Sequence, residues 1–219
     1  IPRDYYVEMA GTNGEYNKIN AAHVFGGADM QIKTVENVLH IPINHYFSID
    51  MDAMKDLGDA VGGVTVDNAF AFDAEGIHYP KGKQHLGGWE ALQYARMRYE
   101  DPEGDYGRQR RQREVLIELT NKLLSFNSLL KYQEILDVIG EHGETDLSFE
   151  QMMAMLKKYT PALKTIETDQ LKGYDYTGDG VTGIEGISYQ LVEESERQRV
   201  ENAIKEQMNL SKKDTEQSQ

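Results

Sequence analysis

The stretch 27-GADMQIKTVENVLHIPINHYFSID-50 carries two periodicities divided by a proline, and that division decides the class of fold. Ala28, Ile32, Val35 and Leu39 recur at i, i+4, i+7 and i+11, one face of an amphipathic helix. Pro42 lacks an amide hydrogen and has a fixed φ, so the helix must end before it. Beyond it, 43-INHYFSID-50 is rich in β-branched and aromatic side chains and predicts a strand. Asp50 or Asp52 offers a cap for the next helix, which runs to Gly62-Gly63. Val64-Thr65-Val66 then reads as a short buried strand.

The rest of the chain repeats this alternation. Residues 70–86 predict a hairpin turning at Pro80 to Gly82, and a helix follows from Gly88 to Tyr94. The Asp-Pro-Glu-Gly run between Glu100 and Gly107 is a loop, and a long helix runs from Arg108 to Leu124. Further helices are expected over 128–139 and 149–159, turns with strands over Tyr174 to Tyr189, and a final helix over Gln190 to Met208. Strands alternating with helices predict an α/β fold, a three-layer α/β/α sandwich around a central mixed sheet. One domain is expected over 1–209, with a polar, disordered tail over 210–219.

Composition narrows the classes of function. The 219 residues are 39% hydrophobic and 27% charged, as in soluble globular chains. No apolar run approaches the roughly 18–20 residues that span a bilayer. The chain opens at Ile1-Pro2-Arg3-Asp4 without initiator methionine, basic n-region or apolar h-region, so a targeting segment upstream is expected to have been removed. It has no cysteine, which excludes disulfides and thiolate metal sites. A net charge of −14, from 37 acidic and 23 basic residues, argues against a nucleic-acid partner.

Against that acidity, 94-YARMRYEDPEGDYGRQRRQREVL-116 gathers Arg96, Arg98, Arg108, Arg110, Arg111 and Arg113, six of the chain's nine arginines. The helix from Arg108 has an apolar stripe of Val115, Leu119 and Leu123, with Leu116 on its flank. Projected back, Arg108 and Gln112 fall on the stripe's centre line, Arg111 on its edge, and Arg110 and Arg113 on the far side. An inward arginine is costly unless paired, and arginines in a first helical turn oppose the macrodipole. An anion bound there would relieve both penalties. Asp101, Glu103 or Asp105 in the preceding loop could pair with them instead, and the pattern leaves both readings open. If 95-ARMRY-99 is extended, Arg96 and Arg98 reach one side, and Arg3 lies comparably beside Pro2. Such an arrangement suits a multiply charged phosphate rather than a DNA groove.

Six segments in order resemble the LytR-CpsA-Psr family of bacterial cell-wall enzymes. They are IPRD (Ile1 to Asp4), NKINAAHVFGG (Asn17 to Gly27), KTVENVLHIPINHY (Lys33 to Tyr46), VGGVTV (Val61 to Val66), KGKQHLGGWEALQYARMR (Lys81 to Arg98) and GDYGRQRRQ (Gly104 to Gln112). The resemblance implies a magnesium-dependent phosphotransferase on the extracytoplasmic face of the cell membrane. It would move a glycopolymer, such as wall teichoic acid or capsular polysaccharide, from a polyprenyl-pyrophosphate carrier to peptidoglycan. By similarity, Arg3, Arg96, Arg98, Arg108 and Gln112 grip the pyrophosphate, with Lys18 and Arg111 in matching motifs; Arg98, Arg108 and Asp105 are the implied catalytic set. The implied Mg²⁺ ligands and the N-terminal membrane helix lie upstream of Ile1, so no metal ligand is expected in this chain. The alternatives are a polyprenyl-phosphate or glycan-binding protein without catalysis, or a regulatory envelope protein of the transcriptional attenuator type.

Other features carry less. His23, His40, His45, His78, His85 and His142 show no zinc spacing. The segment 175-DYTGDG-180 begins like a calcium loop but has Thr177 at position 3 and no glutamate at position 12, so it reads as a turn. Asp50, Asp52, Asp56 and Asp59 read as helix-terminal acids. Tyr5, Tyr6, Trp89 and Met152, Met153 and Met155 are core positions before they are a lipid tunnel.

Overall fold

The computed structural model describes residues 1–125, 135, 137–138, 140–141, 143–159 and 166–210. Most of the helix expected over 128–139, the tail from 211, His142 and the Met153 side chain lie outside the described residues. The chain is α/β, and its contacts divide into two compact units, one of Ile1–Tyr46 with Glu167–Gln219 and one of Phe47–Ile166.

In the first unit, β1 (Tyr6–Glu8) and β2 (Tyr16–Lys18) form an antiparallel hairpin. β9 (Tyr174–Thr177) and β10 (Ser188–Leu191) form a second. A parallel bridge between Tyr5 and Gln190, with the Gln190 amide donating to the Asp4 carbonyl at 2.8 Å, joins the hairpins in a mixed order β2-β1-β10-β9. Helix α1 (Ala21–Leu39) starts six residues before the expected point, and its first piece is set off by non-helical Gly26 and Gly27. Gly27 has φ +63, which only glycine adopts without strain. The expected stripe is present but turned: Thr34 and Leu39 are buried, while Val35 packs from the flank. Helix α6 (Glu194–Gln207) begins four residues later than expected, because Gln190 and Leu191 are taken into β10. Tyr5, Val7, Ile19, Leu39, Leu171 and Val200 form the core.

Helices α1 and α6 are also tied by charge. Arg197 donates to the Val38 carbonyl at 2.8 Å, one of the open carbonyls at the end of α1, and to Glu201 at 2.5 Å. Lys205 and His40 also reach Glu201, at 2.6 and 3.0 Å. Burial pulls the Glu201 carboxyl upward, but hydrogen bonds from Lys205, His40 and Arg197 outweigh it and hold it at about 2. A carboxyl depressed in the fold contributes its stability above its ordinary value of 4.5 and loses it as pH falls toward about 2. The melting temperature of Glu201→Gln should therefore lie below that of the parent at pH 7 and approach it near pH 2. Equal gaps at both pH values would refute this.

In the second unit, β3 (Phe47–Ile49) pairs with β8 (Gly143–Thr145). Asp50 caps α2 (Met51–Ala60), its carboxylate accepting from the Ala53 amide at 2.7 Å. Asp50→Ala should cost about 1 kcal/mol in urea unfolding; no change would mean that the cap is idle. β4 (Val64–Asn68) alternates buried and exposed and pairs with β7 (Gly82–Leu86). The hairpin of this region is β5 (Phe72–Ala74) with β6 (Ile77–Tyr79), turning at Glu75-Gly76 rather than at Pro80 to Gly82. Both turn residues have positive φ, the twist that two-residue hairpins favour. Pro80 instead begins the passage from β6 to β7. The buried Asn68 amide holds that passage, donating to the carbonyls of Tyr79 at 3.2 Å and Pro80 at 3.0 Å.

Helix α3 (Gly88–Arg96) packs on α2 through glycine: a Cβ on Gly88 would lie 1.9 Å from the Lys55 carbonyl oxygen. Asp59 accepts from the Gly88 amide at 2.7 Å, so it caps α3, and Asp56 pairs with Lys55. Helix α4 (Asp105–Ser125) starts three residues before the expected point, and α5 spans Phe149–Tyr159. Phe72, Tyr79 and Tyr94 group their rings within 4.8–5.9 Å in the core. Burial, reinforced by Glu90, pushes the Tyr79 hydroxyl up to about 12. Among the described residues the strands thus pair in five antiparallel twos plus one parallel bridge, set among the helices of the expected mixed α/β fold.

Candidate functional site: the arginine-rich end of two helices

The sequence 101-DPEGDYG-107 brings α3 back into α4 through a tight turn. The Asp101 carboxylate accepts from the Glu103 amide at 2.7 Å, and the Gly104 amide donates to the Asp101 carbonyl at 2.9 Å. This is the local hydrogen bonding by which aspartate favours turns. Gly104, at φ +54, completes it.

From there the arginines of the first two turns of α4 meet acids of the loop or of the helix's first residue. Arg108 pairs with Asp105, Arg110 with Glu103, and Arg111 with Asp101. Gln109 takes the second oxygen of Asp105 at 2.7 Å. The three pairs differ in burial. Arg110 is exposed, Arg108 and Asp105 are mostly covered, and the side chains of Arg111 and Asp101 are only 2% and 0% exposed.

The buried row of α4 runs Gly107, Arg111, Val115, Leu119. The helical projection needs correction here: Arg111 sits at the centre of the row, Arg108 and Gln112 on its shoulder. The reason is the partner that α4 meets, since Arg111 fills the gap at the C-terminal end of α3. Its Nε donates to the Tyr94 carbonyl at 3.0 Å and its Nη2 to the Met97 carbonyl. These are carbonyls that a helix end leaves open, and a cation there complements the macrodipole. The guanidinium also faces the rings of Phe72 and Tyr94 at 5.6 and 5.9 Å. Arg113, expected in solvent, is half-buried, and burial with the nearby Arg110 lowers its pKa.

Arg96 and Arg98 are placed differently. The segment 95-ARMRY-99 is not extended throughout: α3 continues to Arg96, and the extended backbone begins at Met97, with φ −54 and ψ 136. Exposure still alternates, with Met97 buried and Arg96 and Arg98 outside. Among the described residues neither guanidinium has an ion-pair partner. Arg108 adds an open donor, because its Nε is buried without a hydrogen-bond partner among the described residues. Gln112 is half-buried on the same helix.

Arg3 and Lys18 belong to the first unit. Both lie beside Asp4, at 3.5 and 3.3 Å, and the Lys18 ammonium stands 5.7 Å over the Tyr189 ring. Tyr5 is core and Trp89 is half-exposed on α3. Of the 175–180 segment, residues 175–177 belong to β9 and the turn follows, in which Asp179 accepts from the amides of Val181 and Thr182 at 2.9 and 2.7 Å.

Two supporting residues escape the sequence. Gly107 is needed because a Cβ there would meet the Asp101 carboxylate at 1.9 Å. Its only signal is its place four residues before Arg111. Glu114 accepts from the Tyr94 hydroxyl at 2.9 Å and from the Asp67 amide at 2.6 Å, linking β4, α3 and α4. Burial, with Glu114 beside it, raises the Tyr94 pKa. Among the described residues no group of three or more His, Asp or Glu side chains is placed to share a metal ion, and no helix is long and apolar enough to cross a membrane.

The chain is similar to several known proteins. An Enterococcus faecalis protein named polyisoprenyl-teichoic acid–peptidoglycan teichoic acid transferase TagU is 46% identical over 209 residues, covering 95% of this chain and 67% of that protein. A crystal structure from the same species, described as a transcriptional regulator, matches with TM-score 0.84 at 43% identity, over 98% of this chain and 78% of that one. The crystal structure of B. subtilis TagV matches with TM-score 0.81 at 35% identity, over 96% and 82%. Residues 1–206 match the LytR_cpsA_psr family, and with relatives at this level of identity over nearly its whole length, the chain belongs to that family.

Proposed function

We propose that this chain is a phosphotransferase of the cell envelope that moves a glycopolymer of the teichoic acid class from a polyprenyl-pyrophosphate carrier to peptidoglycan, at the extracytoplasmic face of the membrane. The observation that carries the reading is the set of open guanidinium donors where α3 ends and α4 begins. Arg96 and Arg98 are exposed and unpaired, and the buried Nε of Arg108 lacks an acceptor, among the described residues. An anion with several oxygens satisfies all three, and a pyrophosphate is such an anion. The name of the E. faecalis relative supplies the polymer class.

In the transfer, a hydroxyl oxygen of the acceptor glycan bonds to the phosphorus that carries the glycopolymer. The bridging P–O bond breaks, polyprenyl phosphate leaves, and the hydroxyl proton passes to solvent or a base. The protein's part is position and charge. Arg96 and Arg98 hold the non-bridging oxygens, and Arg108 neutralises charge that builds on the leaving phosphate. Asp105 positions Arg108, since its two oxygens are taken by Arg108 and Gln109. Gln112 adds an amide donor on the same helix. The magnesium ion that the family resemblance implies finds no ligand set among the described residues.

The test is to incubate the full chain with a labelled lipid-linked glycopolymer and peptidoglycan and to follow label into the glycan. Polyprenyl phosphate released in equal amount is the expected result. Lipid binding without transfer would reduce the protein to a carrier-binding role, and tight DNA binding with a steep salt slope would sink the reading altogether.

A further inference from the structure

We infer that Arg111 is a positioning residue for this site, acting with Asp101 and Gly107 to set the distance between the arginines of α3 and those of α4. The inference rests on the reading of Arg96, Arg98 and Arg108 as pyrophosphate donors.

The geometry is that of a clamp. One guanidinium reaches three acceptors on two different segments: the carbonyls of Tyr94 and Met97 at the end of α3, and the carboxylate of Asp101 in the turn before α4. The two carbonyls lie two residues before Arg96 and one after it, and Met97 precedes Arg98. Asp101 in turn holds the loop backbone through the Glu103 amide, two residues ahead of the start of α4. Arg108 lies one turn before Arg111 on the same helix. Every link from Arg111 to the three donor arginines is therefore a hydrogen bond or one turn of backbone.

Burial excludes a direct role. The Arg111 side chain is 2% exposed, its Nε, Nη1 and Nη2 are all engaged, and two aromatic rings cover it. A phosphate could reach it only by displacing Asp101. Simple packing explains the arrangement no better. An apolar side chain would fill the place without the desolvation cost of a charge pair, which commonly leaves such pairs neutral or unfavourable. An apolar residue, however, would satisfy none of the three acceptors, and the end of α3 would have no fixed register on α4. Gly107 belongs to the device because Asp101 occupies the space where its Cβ would be.

The test is a double-mutant cycle on kcat for glycopolymer transfer, using Arg111→Lys, Gly107→Ala and Arg98→Ala in the full chain, with melting temperature recorded for each. Lysine keeps the charge but cannot reach three acceptors at once. Arg111→Lys is expected to lower kcat about 100-fold, the scale of a misplacement near 1 Å, in protein that still melts cooperatively. Gly107→Ala should match it without altering any ionisable group. In the Arg98→Ala background Arg111→Lys should lower kcat by less than tenfold, because the residue it positions is gone. Full additivity would mean that Arg111 acts on the substrate independently, and would overturn the inference. A lowered melting temperature with unchanged kcat would make the clamp merely structural, and would overturn it as well. Binding of inorganic pyrophosphate to the parent chain, lost in Arg98→Ala, separates the two levels. If the parent binds and Arg111→Lys binds and transfers equally well, only the positioning role falls. If the parent neither binds nor transfers, both fall.

Discussion

Arg98→Ala and Arg108→Ala should each lower glycopolymer transfer by about 100- to 1,000-fold, the range seen when a single preorganised charge donor is removed. The two should differ in what else they change. Arg98 is exposed and unpaired among the described residues, and substitutions of that kind usually move stability by no more than about 0.5 kcal/mol. Its loss should leave the melting temperature where it was. Arg108 is mostly covered and paired with Asp105, so alanine there leaves a carboxylate held by Gln109 alone. A small loss of stability is expected beside the large loss of rate. Arg108→Lys should recover part of the rate, since charge returns but the planar fork does not. The measurement is kcat/KM for label transfer alongside calorimetry. Rates within a few-fold of the parent for both alanine variants would place the anion elsewhere.

The second large effect is on stability. Asp101→Ala leaves the Arg111 guanidinium buried without its counter-charge, and breaking a buried pair from one side costs about 3–5 kcal/mol. For a chain of this size, that lowers the melting temperature by roughly 10 °C. Asp101→Ala with Arg111→Met should cost less than Asp101→Ala alone, because no unpaired charge remains. Calorimetry of the two single variants and the double reads this coupling. A double variant as unstable as the sum of the singles would show that the charges do not see each other.

These expectations depend on details that the sequence carries unevenly. The helical period of 27–40 and the run of β-branched residues after Pro42 are local facts, and α1 and β3 follow from them. The Asp50 cap is equally local, since the carboxylate and the amide it meets are three residues apart. The division of the arginines was legible only in part. Their crowding beside 101-DPEGD-105 shows that acids and cations must meet there, and exposure at Arg96 and Arg98 alternates as an extended segment predicts. Wheel geometry, however, places the inner face of α4 only to within a side chain or so. It cannot tell Arg108 from Arg111, because the choice is made by the carbonyls at the end of α3.

Sequence alone determined the alternation of helix and strand, the Asp50 cap, and the family, through six ordered segments. Periodicity and capping act over a few residues, and a single chain displays them in full. Only tertiary structure decided that β7 pairs with β4 rather than turning back on β6, and that Tyr5 meets Gln190 across the length of the chain. It also decided that Arg111 goes inside while Arg98 stays out. Each of those outcomes depends on which distant backbone groups need partners once water is gone, and no spacing along the chain records it.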